Sequence, residues 1–245
     1  LMRLSKLMAH RGLCSRREAD KLIEQGLVKV DGEIVSELGS KVLGNVSIEL
    51  LTKAKEQLDS KVTIIYHKPL GIVSGQSDGS YDTAKDKISS RNQDENFITK
   101  DHPMKFSRDH IEGLAPAGRL DVNSTGILVL TQDGVVAKNI IGDFSKVEKE
   151  YLVRFKGEVN DEVLAKLCHG LELDGEKLRP AVVTRLNDDQ LQFILKQGKK
   201  RQIRRMCELV GLEVTALKRV RVGKLPLGSL KKGYWRYLRD DESIY

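Results

Sequence analysis

The order of apolar and polar positions divides the chain into a helical opening, a hairpin, a polar middle and a long regular second half. In residues 3–13, Leu4, Leu7, Met8 and Arg11 fall at helical spacing, and the apolar ones make a face flanked by Lys6, His10 and Arg11. Gly12 is a natural stop. Ser15-Arg16-Arg17-Glu18 is a capping box that opens a second helix, with Ala19, Leu22 and Ile23 as its stripe and Gly26 as its end. Residues 27–30 alternate as a strand, Asp31-Gly32 makes a tight turn, and residues 33–35 return. Residues 51–60 are polar and read as a mobile linker. A strand over residues 62–66 follows. Residues 74–115 are poor in aliphatics and rich in Ser, Asp, Asn and Lys, with at most a short helix over residues 82–88. So long a stretch without regular structure is either functional or disordered.

After residue 115 the pattern becomes regular. Gly126-Ile127-Leu128-Val129-Leu130 is a buried-strand run closed by Asp133-Gly134. Residues 150–155 alternate through Tyr151, Val153 and Phe155. Asn160 caps a helix carrying Val163, Leu164 and Leu167, which Gly170 stops. Residues 181–186 and 191–195 form a hairpin around Asn187-Asp188. A helix over residues 200–210 places Ile203, Met206, Cys207 and Val210 on its core face and Arg201, Arg204 and Arg205 on its other sides. A strand over residues 217–222 and a tail around Trp235 complete the chain. Mixed elements with repeated hairpin signals predict an α+β fold: a small N-terminal module, then a domain on a mixed, largely antiparallel sheet flanked by helices. The expected divisions are 1–50, a linker at 51–60, and 61–245, with 74–115 a long polar insertion or loop.

Composition adds little to this picture, and charge adds more. The 245 residues are 40% hydrophobic and 31% charged, with no apolar run near the length of a membrane span. Three cysteines (Cys14, Cys168 and Cys207) are odd in number, widely separated and in no metal-ligand spacing, which fits small buried residues in a reducing compartment. The N-terminus lacks the apolar core of a signal peptide, so a cytoplasmic location is expected, or an organellar one if a targeting segment has been trimmed before Leu1. Of the net charge of +7, residues 1–30 carry +4 and residues 196–224 carry +8, leaving the remainder negative. Basic charge in two blocks is the footprint of a polyanion partner, though two solvated basic surfaces would read the same way.

Several reaction schemes drop out. The chain has no G-x-G-x-x-G, P-loop or G-x-S-x-G motif, and its five histidines form no ligand pattern. One run stands apart: Pro116-Ala117-Gly118-Arg119-Leu120-Asp121-Val122-Asn123-Ser124-Thr125-Gly126, leading into Ile127 and the strand. An Asp between a Gly-Arg-Leu turn and a hydrophobic strand is either a turn cap accepting backbone N–H bonds or a carboxylate placed for chemistry. Local reasoning leaves both open.

Resemblance to known families goes further. Arg3-Leu4-Ser5-Lys6, Gly12-Leu13-Cys14-Ser15-Arg16-Arg17-Glu18-Ala19 and Val28-Lys29-Val30-Asp31-Gly32 together resemble the S4 RNA-binding domain. That implies RNA contacts from Arg3, Lys6, Arg11, Arg16, Arg17 and Lys21. The Asp121 run, with Lys68-Pro69-Leu70-Gly71, Lys149-Glu150-Tyr151-Leu152-Val153, Arg201-Gln202-Ile203-Arg204-Arg205-Met206 and the stretch from Leu217 to Gly223, is similar to the S4-bearing pseudouridine synthases of small- and large-subunit ribosomal RNA. The resemblance implies an isomerase that converts a specific uridine to pseudouridine with base flipping and no cofactor or metal. It implies Asp121 as the essential carboxylate, Arg204 as its ion-pair partner, Tyr151 stacked on the base, and Leu217 packed against it. Arg119 would fill the vacated base stack, and Lys200, Arg201 and Arg205 would bind phosphates. The partner is ribosomal RNA or a ribosome assembly intermediate, with no membrane, and the enzyme is expected to be a monomer. A non-catalytic RNA-binding or assembly factor and a nucleic-acid glycosidase are the competing readings.

Overall fold

The computed structural model describes residues 1–142 and 145–245. Its N-terminal module contains helices Leu4–His10 and Arg16–Glu24. The expected capping box is complete: the Ser15 hydroxyl accepts the Glu18 N–H, and the Glu18 carboxylate accepts the Ser15 N–H. Strands Val28–Val30 and Glu33–Ile34 turn through Asp31 and Gly32, both at positive φ, and Ile48–Leu50 pairs on the other side of Val28–Val30.

The stretch expected as a mobile linker is instead helix Thr52–Asp59. Its Ala54 is fully buried, and Leu51 and Leu58 pack on the same core as Leu4, Met8, Leu22 and Ile23. The N-terminal module therefore extends about ten residues further along the chain than its sequence signature suggests.

The second domain is built on one mixed sheet. Its main path runs Val182–Asn187, Gln190–Leu195, Lys149–Lys156, Glu213–Val222, Thr125–Thr131, Thr63–Lys68, Trp235–Tyr237. Among the described residues every neighbour pair on this path is antiparallel except Glu213–Val222 with Thr125–Thr131, which is parallel. Strands Thr125–Thr131 and Thr63–Lys68 are covered on both faces. Leu128, Leu130, Ile64 and Tyr66 face one core, while Ile127, Val129 and Ile65 face another. Burial on both faces is why residues 126–130 read as a continuous apolar run.

Helix Asp161–Cys168, capped by Asn160, and helix Gln202–Leu209 cover a third cluster around Val153, Phe193 and Leu217. Helix Gly134–Ile141, missed at the sequence level, packs beside Thr125–Thr131. Asp133 is its N-cap, accepting the Val135 N–H at 2.8 Å.

The polar middle is ordered without long elements. In place of the expected helix over residues 82–88 there is one short turn, Lys85–Lys87, followed by turns Ser90–Asn92, Glu95–Phe97 and Arg108–His110. The segment is pinned from a distance. The Trp235 indole N–H donates to the Ser89 carbonyl at 2.8 Å, Asp94 N–H donates to the Trp235 carbonyl, and the Asn92 amide donates to Gly233. Ala84, Ile88 and Leu114 are buried with Trp235 in one cluster.

Candidate active site

Asp121 is half-buried and starts a turn in which its carbonyl accepts the Ser124 N–H at 3.0 Å. The turn is held from several sides. Gly71 N–H donates to Val122, and the Ser74 hydroxyl accepts from the Leu120 N–H and donates to its carbonyl, both at 2.8 Å. Ser74 is buried, so this double bond anchors the residue before Asp121 in place.

Two cations flank the turn. The Arg204 guanidinium donates to the Asn123 carbonyl at 2.8 Å and to Val214 at 3.3 Å. Expected on an outer face of its helix, Arg204 is buried, because that face turns toward the strand Glu213–Val222 and the Asp121 turn. The expected pairing with Asp121 takes an indirect form. Arg204 grips the backbone two residues beyond Asp121, and the two charges interact through space. Burial lowers the Arg204 pKa, Arg201 adds to that, and Asp121 opposes it.

Lys68 is the second cation. It is fully buried at the end of Thr63–Lys68, and its ammonium donates to the Pro69 and Ile72 carbonyls at 2.9 and 2.7 Å. Burial brings its pKa down to about 8, opposed by Asp121 and reinforced by Arg219.

Arg219 belongs to the same construction. Its Nε donates to the Ile127 carbonyl at 2.9 Å and its Nη1 to the Arg119 carbonyl at 3.4 Å, which ties the Asp121 loop to the sheet. In sheet register Tyr151 pairs with Arg219, Arg219 with Gly126, and Gly126 with Lys68. A single row across four strands thus carries the aromatic, the arginine, a bare backbone and the lysine. Leu217 lies in the adjacent same-parity row, opposite Val153. Tyr151 is half-buried and packs against the clusters that hold Leu217 and Leu120.

Sequence reasoning gave Lys68, Ser74 and Arg219 no role. Period two places Arg219 on the same strand face as Leu217, and that signal was available. Nothing local marked Ser74.

The sequence-predicted phosphate contacts divide. Arg119, Lys200 and Arg201 are exposed, and Arg201 sits at φ 52° just before helix Gln202–Leu209. Arg205, by contrast, forms a fork with Asp174 at 2.9 and 2.5 Å. The basic block at residues 196–224 is consequently less free than its +8 suggests. Arg204 and Arg219 are buried, Lys199 pairs with Glu176, and Arg221 pairs with Glu148 and Glu150. In the N-terminal module Arg3, Lys6, Arg11, Arg16, Arg17 and Lys21 are all exposed. Arg11 donates to the Gly44 carbonyl at 2.9 Å.

The buried lysines carry a stability cost with a definite pH dependence. Lys149 is buried like Lys68, donates to the Ile140 carbonyl, and is brought to about 8 by burial with Arg219 nearby. Both fall below the ordinary lysine value of 10.5. Above pH 8 the folded chain therefore binds fewer protons than the unfolded one, and stability rises with pH. The opposite effect of the buried thiols Cys14 and Cys207, raised by burial from 9.0 to about 11 and 12, begins only near pH 9. Urea midpoints should increase between pH 8 and 9, and Lys68→Met should flatten the increase. A midpoint that falls over that interval would contradict the burial argument.

With the geometry in place, comparisons identify the family. Residues 62–209 match the RNA pseudouridylate synthase family and residues 2–48 match the S4 domain. The chain is 34% identical to ribosomal large subunit pseudouridine synthase B of Bacillus subtilis (strain 168), over 98% of this chain and 93% of that protein. It is also 34% identical to the dual-specificity RNA pseudouridine synthase RluF of Salmonella typhi, over 99% of this chain and 77% of that protein. A crystal structure of a pseudouridylate synthase superposes with a TM-score of 0.65 at 28% identity, covering 98% of this chain and 96% of the other. Sequence motifs, sheet and relatives agree: the chain belongs to the RNA pseudouridylate synthase family and carries an S4 domain at its N-terminus.

Proposed function

We propose that this protein isomerises a specific uridine of ribosomal RNA to pseudouridine, with Asp121 as the catalytic carboxylate. The observation that carries this reading is the Asp121 turn. It is anchored by Ser74 and Gly71, flanked by the cations of Lys68 and Arg204, and stands beside the row of Tyr151 and Arg219. The reaction breaks the N1–C1′ bond, turns the base and forms a C5–C1′ bond, while one proton leaves C5 and one arrives at N1. Atoms and electrons balance within the nucleoside. An ionised Asp121 serves either route: attack on C1′, as carboxylates do in glycosyl transfer, or removal of the C2′ proton to a glycal.

A uridine stacked in RNA cannot reach Asp121, so the base is flipped out. The planar, exposed guanidinium of Arg119, two residues before Asp121, suits the vacated stack. Tyr151 stacks on the flipped base and its hydroxyl moves the C5 proton, while Leu217 packs against the ring. Lys200 and Arg201 hold phosphates, and Arg205 does so after exchanging Asp174 for RNA. The S4 face contributes Arg3, Lys6, Arg11, Arg16, Arg17 and Lys21. The protein acts as a monomer.

Incubation with unmodified ribosomal RNA transcripts, followed by pseudouridine mapping, tests the activity. A discrete modified uridine is expected. Released free uracil would identify a glycosidase, and tight binding without modification an assembly factor.

Salt dependence tests the S4 face. With about six phosphates neutralised, log K should fall against log salt with a slope near −4 to −5. Arg16→Gln with Arg17→Gln should reduce that slope by about 2. An unchanged slope would remove these arginines from the interface.

A further inference from the structure

The two domains meet at a contact of unusual closeness. A Cβ added to Gly134 would lie 2.4 Å from Ser15 Cβ and 2.7 Å from its Oγ. Ser15 is the N-cap of the S4 helix Arg16–Glu24, while Gly134 is the first residue of helix Gly134–Ile141 in the catalytic domain. Glu18, the other half of the S4 capping box, faces the same spot. Its carboxylate pairs with Lys61, where the chain enters the catalytic domain, and accepts the Gly134 N–H at 3.5 Å. Lys61 in turn adjoins Val62, whose N–H donates to Gln132 at 2.9 Å, next to Asp133. Cys14 is buried alongside, within electrostatic reach of Asp133.

Backbone conformation does not demand glycine at 134, since its φ is negative and helical. Helix propensity disfavours it, because alanine is the better helix former. What excludes a side chain is Ser15.

The far end of the same helix reaches the catalytic turn. Ile141 Cγ2 would lie 3.3 Å from a Cβ at Gly118, which stands three residues before Asp121 at φ 102°. Seven residue steps separate the two contacts, a rise of roughly 10 Å. One short helix thus touches the S4 cap at its start and the Asp121 loop at its end.

We infer that Gly134, Ser15, Glu18 and Lys61 form a docking joint that fixes the S4 RNA-binding face relative to Asp121 and so determines which uridine reaches the carboxylate. The inference rests on the activity proposed above. Gly134 and Ser15 are positioning residues in it: they touch neither base nor phosphate. A rigid joint works as a ruler. RNA gripped by Arg16 and Arg17, adjacent to the joint, presents the nucleotide lying at a set reach from it.

A two-residue cycle tests the joint in the full chain. Gly134→Ala should lower kcat/KM at the target uridine roughly tenfold to a hundredfold, the scale expected when reactants are misplaced by about 1 Å. It should also raise the share of modification at other uridines and enlarge the radius of gyration in small-angle scattering. Adding Ser15→Gly removes both clashing atoms, and glycine is itself a tolerated N-cap. The double variant should recover the compact scattering profile, the site preference and most of the rate. Loss in Gly134→Ala that Ser15→Gly fails to rescue would overturn the joint, as would Gly134→Ala with wild-type selectivity and wild-type scattering. Absence of pseudouridine from the wild-type reaction would instead refute the activity, and the scattering cycle would still decide whether the domains dock through these residues.

Discussion

Asp121→Asn is expected to abolish pseudouridine formation, by on the order of 10⁴-fold in kcat, while RNA affinity stays within about twofold of wild type. The substitution keeps shape. The turn is held by backbone bonds, from the Ser124 N–H to the Asp121 carbonyl and from the Gly71 N–H to Val122, and by Ser74 on Leu120; none involves the Asp121 carboxylate. What disappears is the charge that either route requires. Loss of a negative group beside Lys68 and Arg204 makes the site more attractive to phosphate, so weakened binding is not the expected cause of inactivity. Single-turnover kinetics at saturating protein separate the two. Asp121→Ala should behave the same way, which guards against slow deamidation of the Asn variant. Equal pseudouridine yields from wild type and both variants would remove Asp121 from the mechanism.

Gly126→Ala should be among the most damaging single substitutions in the catalytic domain, costing about 4 kcal/mol of stability. Gly126 has φ 117°, a region that L side chains rarely adopt. A Cβ there would lie 2.1 Å from the Arg219 carbonyl oxygen and 2.5 Å from its nitrogen. The obstacle is backbone, and it belongs to the one parallel pairing on the main sheet path, so no side chain can swing aside. Relief would require parting Glu213–Val222 from Thr125–Thr131, the row in which Tyr151, Arg219 and Lys68 align. Denaturant midpoints measure the cost. A loss below about 1 kcal/mol would mean that the two strands can separate cheaply, contrary to the burial of Thr125–Thr131 between two cores and of Leu217 in a third.

Local signals survived translation into structure, and distant ones did not. The Ser15–Glu18 box, the Asn160 cap and the Asp31-Gly32 turn are each complete within four residues, and all form as read. Leu51, Ala54 and Leu58 carry helical spacing, yet polar neighbours disguised it, and only the core of the N-terminal module gives that stripe something to bury against. Order in residues 74–115 depends on Trp235, more than a hundred residues further on, which no reading of the segment alone could supply. Helix Gly134–Ile141 is rich in β-branched residues, which mask its helical character in sequence despite the Asp133 cap. At the site, motif resemblance nominates Asp121, Tyr151, Arg204 and Leu217. They could not reveal that Arg204 grips backbone, that Asp174 occupies Arg205 from 31 residues away, or that Lys68 is enclosed. Each of those facts arises where separate strands meet.

The clustering of Trp235 with Tyr237, Phe106 and Tyr66 has an optical consequence. All aromatic residues of the chain lie at Tyr66 or beyond, and Trp235 is the single tryptophan. Near-ultraviolet absorbance and intrinsic fluorescence therefore come wholly from the catalytic domain, and release of the S4 module leaves them almost unchanged. Trp235 emission, set by its bonds to Ser89 and Asn92, serves as a native gauge of whether residues 74–115 remain seated.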